Sequence, residues 1–313
     1  MTGKLRISIS ATEAFLSDRY GQQNYRIKQL GEGVWSYAYL FEHEGVNKVI
    51  RWGDIPDNFE RDAFAAKYSN PDLPIPKIFE IGQSNGKFYA ISAFAAGSFL
   101  EQLPSEEILD AIPSLLKMMR SLRAIDISSA TKGYGFFDQQ GNGSHKSWSQ
   151  FLLDDKNESK GSLIHGWKEI LQASKMGTTA YDKLWNQFRS LIEFCPEDKR
   201  LVHSDTVNRN VLVNDGKITA VLDWGSAFLG DPLYDIAWIK FCEPWSPHFK
   251  SVHVVETILD DYRSDPNVNN EHVDERLQCY MLNIAAGSIA SNAFRRDWKV
   301  AQDIVEYTAK LFS

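Results

Sequence analysis

At 313 residues the chain is long enough for two packed units, and 43% hydrophobic with 12% aromatic residues is an ordinary globular composition. A formal net charge of −7 argues against non-specific nucleic-acid binding, which needs a basic footprint, and suits a cationic partner. No apolar stretch reaches the length of a membrane span, residues 1–15 hold no signal-peptide core, and Cys195, Cys242 and Cys279 lack the spacing of a metal site or a disulfide framework, so a cytoplasmic protein with reduced thiols is expected.

In chain order, residues 25–30, 36–43 and 48–52 read as short strands, joined by residues 31–35 and by Glu44-Gly45-Val46-Asn47. A helix is expected over 58–68 (NFERDAFAAKY), with Asp57 as its cap and Phe59, Ala63 and Phe64 or Ala66 on its inner face. Pro74 and Pro76 fix an extended approach to the sheet, and after a turn at 83–87 a strand follows over 88–94 (FYAISAF). Residues 98–313 read as largely helical apart from hairpins. The stretch 106–124 carries Ile108, Leu109, Ile112, Leu115, Leu116, Met119 and Leu122 at three-to-four spacing, and 181–194 and 300–312 repeat that pattern. These stripes read as core. The polar segments 141–147 and 154–161 read as exposed loops.

The most informative stretch is 201–238 (LVHSDTVNRNVLVNDGKITAVLDWGSAFLGDPLYDIAW). It sets His203, Asp205 and Asn210 in an H-x-D-x-x-x-x-N array, followed by Asp223 at the end of an apolar run. Phosphoryl transfer needs such a set: one carboxylate to orient a hydroxyl and take its proton, with an amide and a second carboxylate to hold magnesium on the phosphates. Residues 217–223 alternate like a strand, and Asn214-Asp215-Gly216 suits a tight hairpin that delivers Asp223 beside the loop. The apolar flanks Leu201-Val202 and Val211-Leu212-Val213 bury the strands and leave the polar residues at the loop.

This segment resembles the aminoglycoside phosphotransferase family, a branch of the protein-kinase-like fold, and within it the hygromycin B phosphotransferases. VHSDTVNRNVLV, VLDWGSA and GDPLYDIA carry the likeness, with LPIPKIFEIG (73–82), GYGFFDQQGNG followed by Trp148, and ITAVLDW through EPW (218–245). The resemblance implies an α+β, two-lobed protein-kinase-like fold. A small antiparallel-sheet lobe (1–96) would bind nucleotide, and a mainly helical lobe (97–313) would carry catalysis and substrate. It implies transfer of the γ-phosphate of ATP (or GTP), with Mg2+, to a hydroxyl of an aminoglycoside such as hygromycin B.

On that reading, Gly31, Gly33 and Ser36 would let a loop approach the phosphates. Arg51 stands where protein kinases grip phosphate with lysine, and Lys48, on the opposite face of the strand, is the fallback. Glu60 and Asp62 are both available to pair with that cation. Adenine would be read by backbone groups at Ala93–Ala95, beneath apolar walls such as Ile50 and Leu212. His203 and Asp235 are expected to be structural, bracing the catalytic loop. A polycationic acceptor wants acidic and aromatic walls, for which Asp154, Asp155, Glu243, Asp260, Asp261, Trp238 and Trp245 are candidates. The expected state is a monomer or weak homodimer. Kinases of choline, homoserine, fructosamine or methylthioribose type remain open, as does a non-catalytic nucleotide-binding module. The lack of an A-P-E segment after Asp223 speaks against a protein kinase.

Overall fold

The computed structural model describes residues 7–21, 25–32, 36–154, 158, 162 and 164–312. It opens on a helix the sequence reading had not anticipated, α1 (Ile9–Tyr20). Ser8 caps α1 by accepting from Ala11 N, and Gly21, at φ 67°, ends it by giving its N–H to Ser17 O.

Strands β1 (Lys28–Glu32), β2 (Ser36–His43), β3 (Val46–Gly53), β4 (Ile78–Ser84) and β5 (Lys87–Ala93) form one antiparallel sheet in the order β1-β2-β3-β5-β4. The period of two sorts its side chains. Tyr37, Tyr39, Phe41, Ile50, Trp52, Tyr89 and Ile91 form a buried cluster that includes Leu16 of α1. Phe15 of α1 packs on Trp52 and Tyr89, ring centroids 5.0 and 4.7 Å apart. Ile50 is therefore sealed inside this layer and is no adenine wall, which corrects the expectation; Val49 shares the opposite face with Arg51. Helix α2 (Pro56–Ala65) crosses between β3 and β4. It begins at Pro56, whose missing N–H costs nothing there, and Asp57 makes no cap.

The remainder is a helical body: α3 (Ser105–Arg123), α4 (Trp148–Leu153), α5 (Trp167–Gln172), α6 (Thr179–Leu191), α7 (Leu233–Cys242), α8 (Pro247–Ser251), α9 (Val254–Ser264), α10 (Val273–Arg295) and α11 (Trp298–Leu311). Helix α10 is buried on most of its circumference and packs on α5, α6, α7 and α11. Two small antiparallel sheets are set into this body. One runs β11 (Lys217–Val221), β10 (Val211–Asn214), β6 (Ser98–Phe99). The other runs β8 (Gly143–His145), β7 (Tyr134–Phe137), β12 (Phe228–Gly230), β9 (Arg200–Val202). Strand β8 falls where the sequence suggested a loop: three residues are too few to show alternation.

A wholly buried ion pair locks α10 to the start of α7. Arg276 meets Asp231 at 2.7–3.0 Å, and Tyr280 donates to the same carboxylate at 2.6 Å. The sheet and the helical body are the two lobes of the expected fold.

Candidate active site

The hairpin of β10 and β11 explains the spacing read from the sequence. Val211 pairs with Val221 and Asn214 with Lys217, so Asn210 and Leu222–Asp223 leave the ladder side by side. Leu222 N donates to Asn210 O at 2.7 Å. Asp215 and Gly216 make the turn with φ 49° and 69°, the pair of positive angles a two-residue hairpin needs.

The candidate catalytic loop is held from three sides. Asp235, in the first turn of α7, accepts the N–H groups of His203 and Ser204 at 3.1 and 2.7 Å, one on each carboxylate oxygen. His203 is fully buried. Its Nε2 donates to Leu222 O at 2.8 Å and its Nδ1 accepts from Asp205 N at 3.2 Å, which fixes the neutral tautomer with the proton on Nε2. Burial pushes the His203 pKa down to about 4. Asn210 gives its amide nitrogen to Asp205 O at 2.6 Å and to Asp205 Oδ2 at 3.3 Å. Three non-glycine residues here adopt left-handed backbone, Ser204 (φ 65°), Arg209 (φ 60°) and Asp223 (φ 56°), a concentration of strain typical of functional loops.

Asp205 Oδ1 is shielded from water and has no hydrogen-bond partner among the described residues. Burial, and then repulsion from Asp223, raise the Asp205 pKa to about 7. A half-buried carboxylate with one idle oxygen is suited to receive a proton from a hydroxyl placed against it. The hard oxygens of Asp223 and of the oriented Asn210 amide suit a small divalent cation that keeps phosphate and water ligands.

Arg51 on β3 faces this group. It forms a buried ion pair with Asp62 of α2 and stands 5.3 Å from the Phe59 ring. Its pKa is raised: attraction from Asp62 and Asp223 outweighs the larger single effect, burial, which opposes it. Of the two acids left open by the sequence, α2 turns Asp62 toward Arg51, because residues three apart share a face and Phe59 is buried there. Glu60 instead accepts from Gln139. Asp62 also accepts from Trp224 N at 2.7 Å, linking the Arg51 side chain to the backbone beside Asp223. Lys48 lies 5.4 Å from the Phe79 ring and takes no part.

Two residues at the site carried no recognisable signal in the sequence. Arg61 donates to Gly225 O and to Phe137 O (3.4 Å), clamping α2 onto the turn after Asp223. Glu101 accepts Arg209 N at 2.6 Å. Both are ordinary charged residues by neighbourhood, and only the fold reveals their partners.

The remaining candidates divide. Gly31 sits in β1 at a register irregularity and Ser36 opens β2 opposite Gly53; Gly33 lies outside the described residues. Ala93 already gives its N–H to Lys77 O (2.9 Å), which leaves its carbonyl and the backbone groups toward Ala95 for a purine edge. Gly97 follows at φ 148°, with room for no side chain: a Cβ there would stand 2.7 Å from Val213 O. Glu243 and Trp245 form the turn after α7, next to Cys242, whose thiol is pushed up to about 12 by burial and then by the charges of Asp205 and Glu101. Trp238 is half-buried in α7. Asp154 is engaged by His145 at 3.0 Å, Asp260 is exposed on α9, and Asp155 lies outside the described residues. Asp261 is a correction. It is buried between Arg120 and Arg123 of α3, so it ties α9 to α3 and is spent on that junction.

Fold and site together define a kinase-like phosphotransferase. A family model described as the phosphotransferase enzyme family matches residues 27–265. Hygromycin-B 4-O-kinase of Escherichia coli is 31% identical over 244 residues, covering 77% of this chain and 69% of that protein. Among solved structures, a thermostable mutant of aminoglycoside phosphotransferase APH(4)-Ia in ternary complex with AMP-PNP and hygromycin B superposes with a TM-score of 0.83. It is 27% identical and the match covers 96% of this chain and 97% of that one. Wild-type aminoglycoside 2'-phosphotransferase-IIIa in its GDP complex gives a TM-score of 0.63 at 17% identity, over 95% and 96% of the two chains, a likeness of fold. The chain belongs to the phosphotransferase enzyme family. No helix among the described residues is long and apolar enough to cross a membrane.

Proposed function

We propose that the protein transfers the γ-phosphate of ATP (or GTP) to a hydroxyl of an aminoglycoside of the hygromycin B type. The observation that carries the reading is the meeting of Asp205, Asn210 and Asp223 beneath the Arg51–Asp62 pair. Asp205 orients the acceptor hydroxyl and takes its proton on the idle Oδ1. Arg51, fixed by Asp62, grips phosphate oxygens as a permanent cation, and Gly31 and Ser36 would approach them from the sheet. Asn210 and Asp223 would hold Mg2+, whose charge neutralises phosphate when it is bound. The rest of the rate enhancement comes from positioning, which the bracing by His203, Asp235 and Asp62 supplies.

Residues 1–96 would form the nucleotide-binding lobe and 97–313 the catalytic and acceptor-binding lobe, with Glu243, Trp245 and Trp238 as candidates for the acceptor wall. A net charge of −7 favours a polycation over nucleic acid. The proposed catalytic set comes from one chain, so a monomer suffices and a weak homodimer would leave it unchanged. The curated relative is named for hygromycin B, which supports that acceptor over choline, homoserine, fructosamine or methylthioribose. The test is magnesium-dependent ATP and GTP turnover with and without a panel of aminoglycosides. Stimulation by hygromycin B is expected; turnover indifferent to every aminoglycoside would refute the reading.

A further inference from the structure

Glu101 points to a feature of acceptor recognition beyond the catalytic set. It lies in the single turn Leu100–Gln102 that follows β6. The pairing of Phe99 with Leu212 and Ser98 with Val213 lays β6 on β10 and so delivers this turn to the far end of the catalytic loop. There Oε1 accepts Arg209 N at 2.6 Å, holding a residue at φ 60°. The other oxygen, Oε2, is shielded from water and has no hydrogen-bond partner among the described residues. A carboxylate oxygen withdrawn from water without a donor is costly, and native structures keep such an oxygen where a ligand supplies the donor. The backbone N–H groups of Glu101 itself and of Arg209 favour its charged form, and Arg209, whose side chain is exposed, adds a weak attraction but no bond to Oε2. The charge of Glu101 is felt by both Asp205 of the loop and Cys242 at the end of α7.

We propose that Glu101 is a specificity-determining residue that receives an ammonium group of the acceptor beside the hydroxyl held by Asp205; this rests on the aminoglycoside reading above. An ammonium satisfies the idle oxygen and answers two carboxylates at once, which a neutral hydroxyl does not. The loop brace and the recognition belong to different oxygens of one side chain, and this makes them separable.

Glu101→Gln keeps an oxygen to accept Arg209 N–H while replacing the idle anionic oxygen with an amide NH2 that repels a cation. With hygromycin B as acceptor, its KM is expected to rise about 10- to 100-fold, with kcat within about threefold and the KM of ATP unchanged. Glu101→Asp, which keeps the charge on a shorter stem, should fall between Glu101→Gln and the wild type, and serves as the reporter should Glu101→Gln fail to fold. Glu101→Ala also loses the brace and should lower kcat. An unchanged hygromycin B KM in folded Glu101→Gln overturns the proposal. So does a fall in kcat alone, which marks a brace only, or a rise in the ATP KM alone, which marks a nucleotide contact. If the wild type leaves hygromycin B unphosphorylated, the functional reading falls separately. Glu101 is then judged by calorimetric titration of the aminoglycoside panel: binding weakened by Glu101→Gln sustains it, and binding that is unaffected or absent overturns it.

Discussion

Replacing Asp62 by asparagine should damage stability and catalysis together, because one carboxylate serves two lobes. Asp62 is 3% exposed, pairs with Arg51 through Oδ2 and accepts Trp224 N–H through Oδ1 at 2.7 Å. Asparagine offers a single acceptor oxygen, so its NH2 must face either the guanidinium or the Trp224 N–H. Breaking a buried ion pair from one side costs about 3–5 kcal/mol, because the other charge stays buried. A domain's whole stability is about 5–15 kcal/mol, so the loss is large but survivable. Urea unfolding of Asp62→Asn should therefore show a midpoint shift equivalent to about 3 kcal/mol or more at an unchanged m value. Under conditions where the variant remains folded, kcat/KM for ATP should still fall about hundredfold, a loss near 2.7 kcal/mol of transition-state binding. A double-mutant cycle with Arg51→Met should recover a coupling energy of about 2 kcal/mol or more. An Asp62→Asn protein within about 0.5 kcal/mol of wild type and with normal ATP kinetics would refute the reasoning.

Two further outcomes follow from the same geometry. His203 is buried neutral with its pKa lowered from 6.5 to about 4, so its contribution to stability is fully present above pH 6.5 and is lost as the pH falls toward 4. Asp235, pushed up to about 7 by burial, has the opposite slope, contributing most below its unfolded value and losing it as the pH rises through 7. The difference in unfolding free energy between wild type and His203→Gln isolates the histidine and should shrink by up to about 3 kcal/mol between pH 6.5 and 4; a pH-independent difference would contradict the buried neutral tautomer. Gly225→Ala would place a Cβ 3.0 Å from Asn58 Cβ and 3.2 Å from Asp223 Oδ1. It should lower kcat at least tenfold for a stability cost of about 1–3 kcal/mol, measured by steady-state kinetics and thermal unfolding.

The parts legible from sequence were those where local pattern and tertiary environment agree. The β10–β11 hairpin announced itself by alternation, a turn with two positive φ angles, and polar residues confined to its ends, so the sequence alone already set the candidates Asp205, Asn210 and Asp223 beside one another. Strands β1, β2, β3 and β5 and the stripes of α3, α6 and α11 were visible for the same reason, whereas β4, read only as an extended approach to the sheet, was not. Helix α10 was not, because it is buried nearly all round and so carries no polar face to set a period. The choice between Glu60 and Asp62 depended on which face α2 turns inward, and the burial of Phe59 and Asp62 on one face decides it. Asp261 read as an acidic wall because nothing local announces that Arg120 and Arg123, about 140 residues earlier, neutralise it. Arg61 and Glu101 were invisible for the converse reason: each acts through a backbone partner more than 100 residues distant.

The most direct measurement follows hygromycin B by mass spectrometry during incubation with Mg2+, ATP and either wild-type protein or Asp205→Asn. The account predicts that wild type adds one phosphoryl group, while the folded variant, still able to bind ATP, does so at least about a thousandfold more slowly. Equal rates from the two proteins, or no phosphorylated product from wild type, would contradict it.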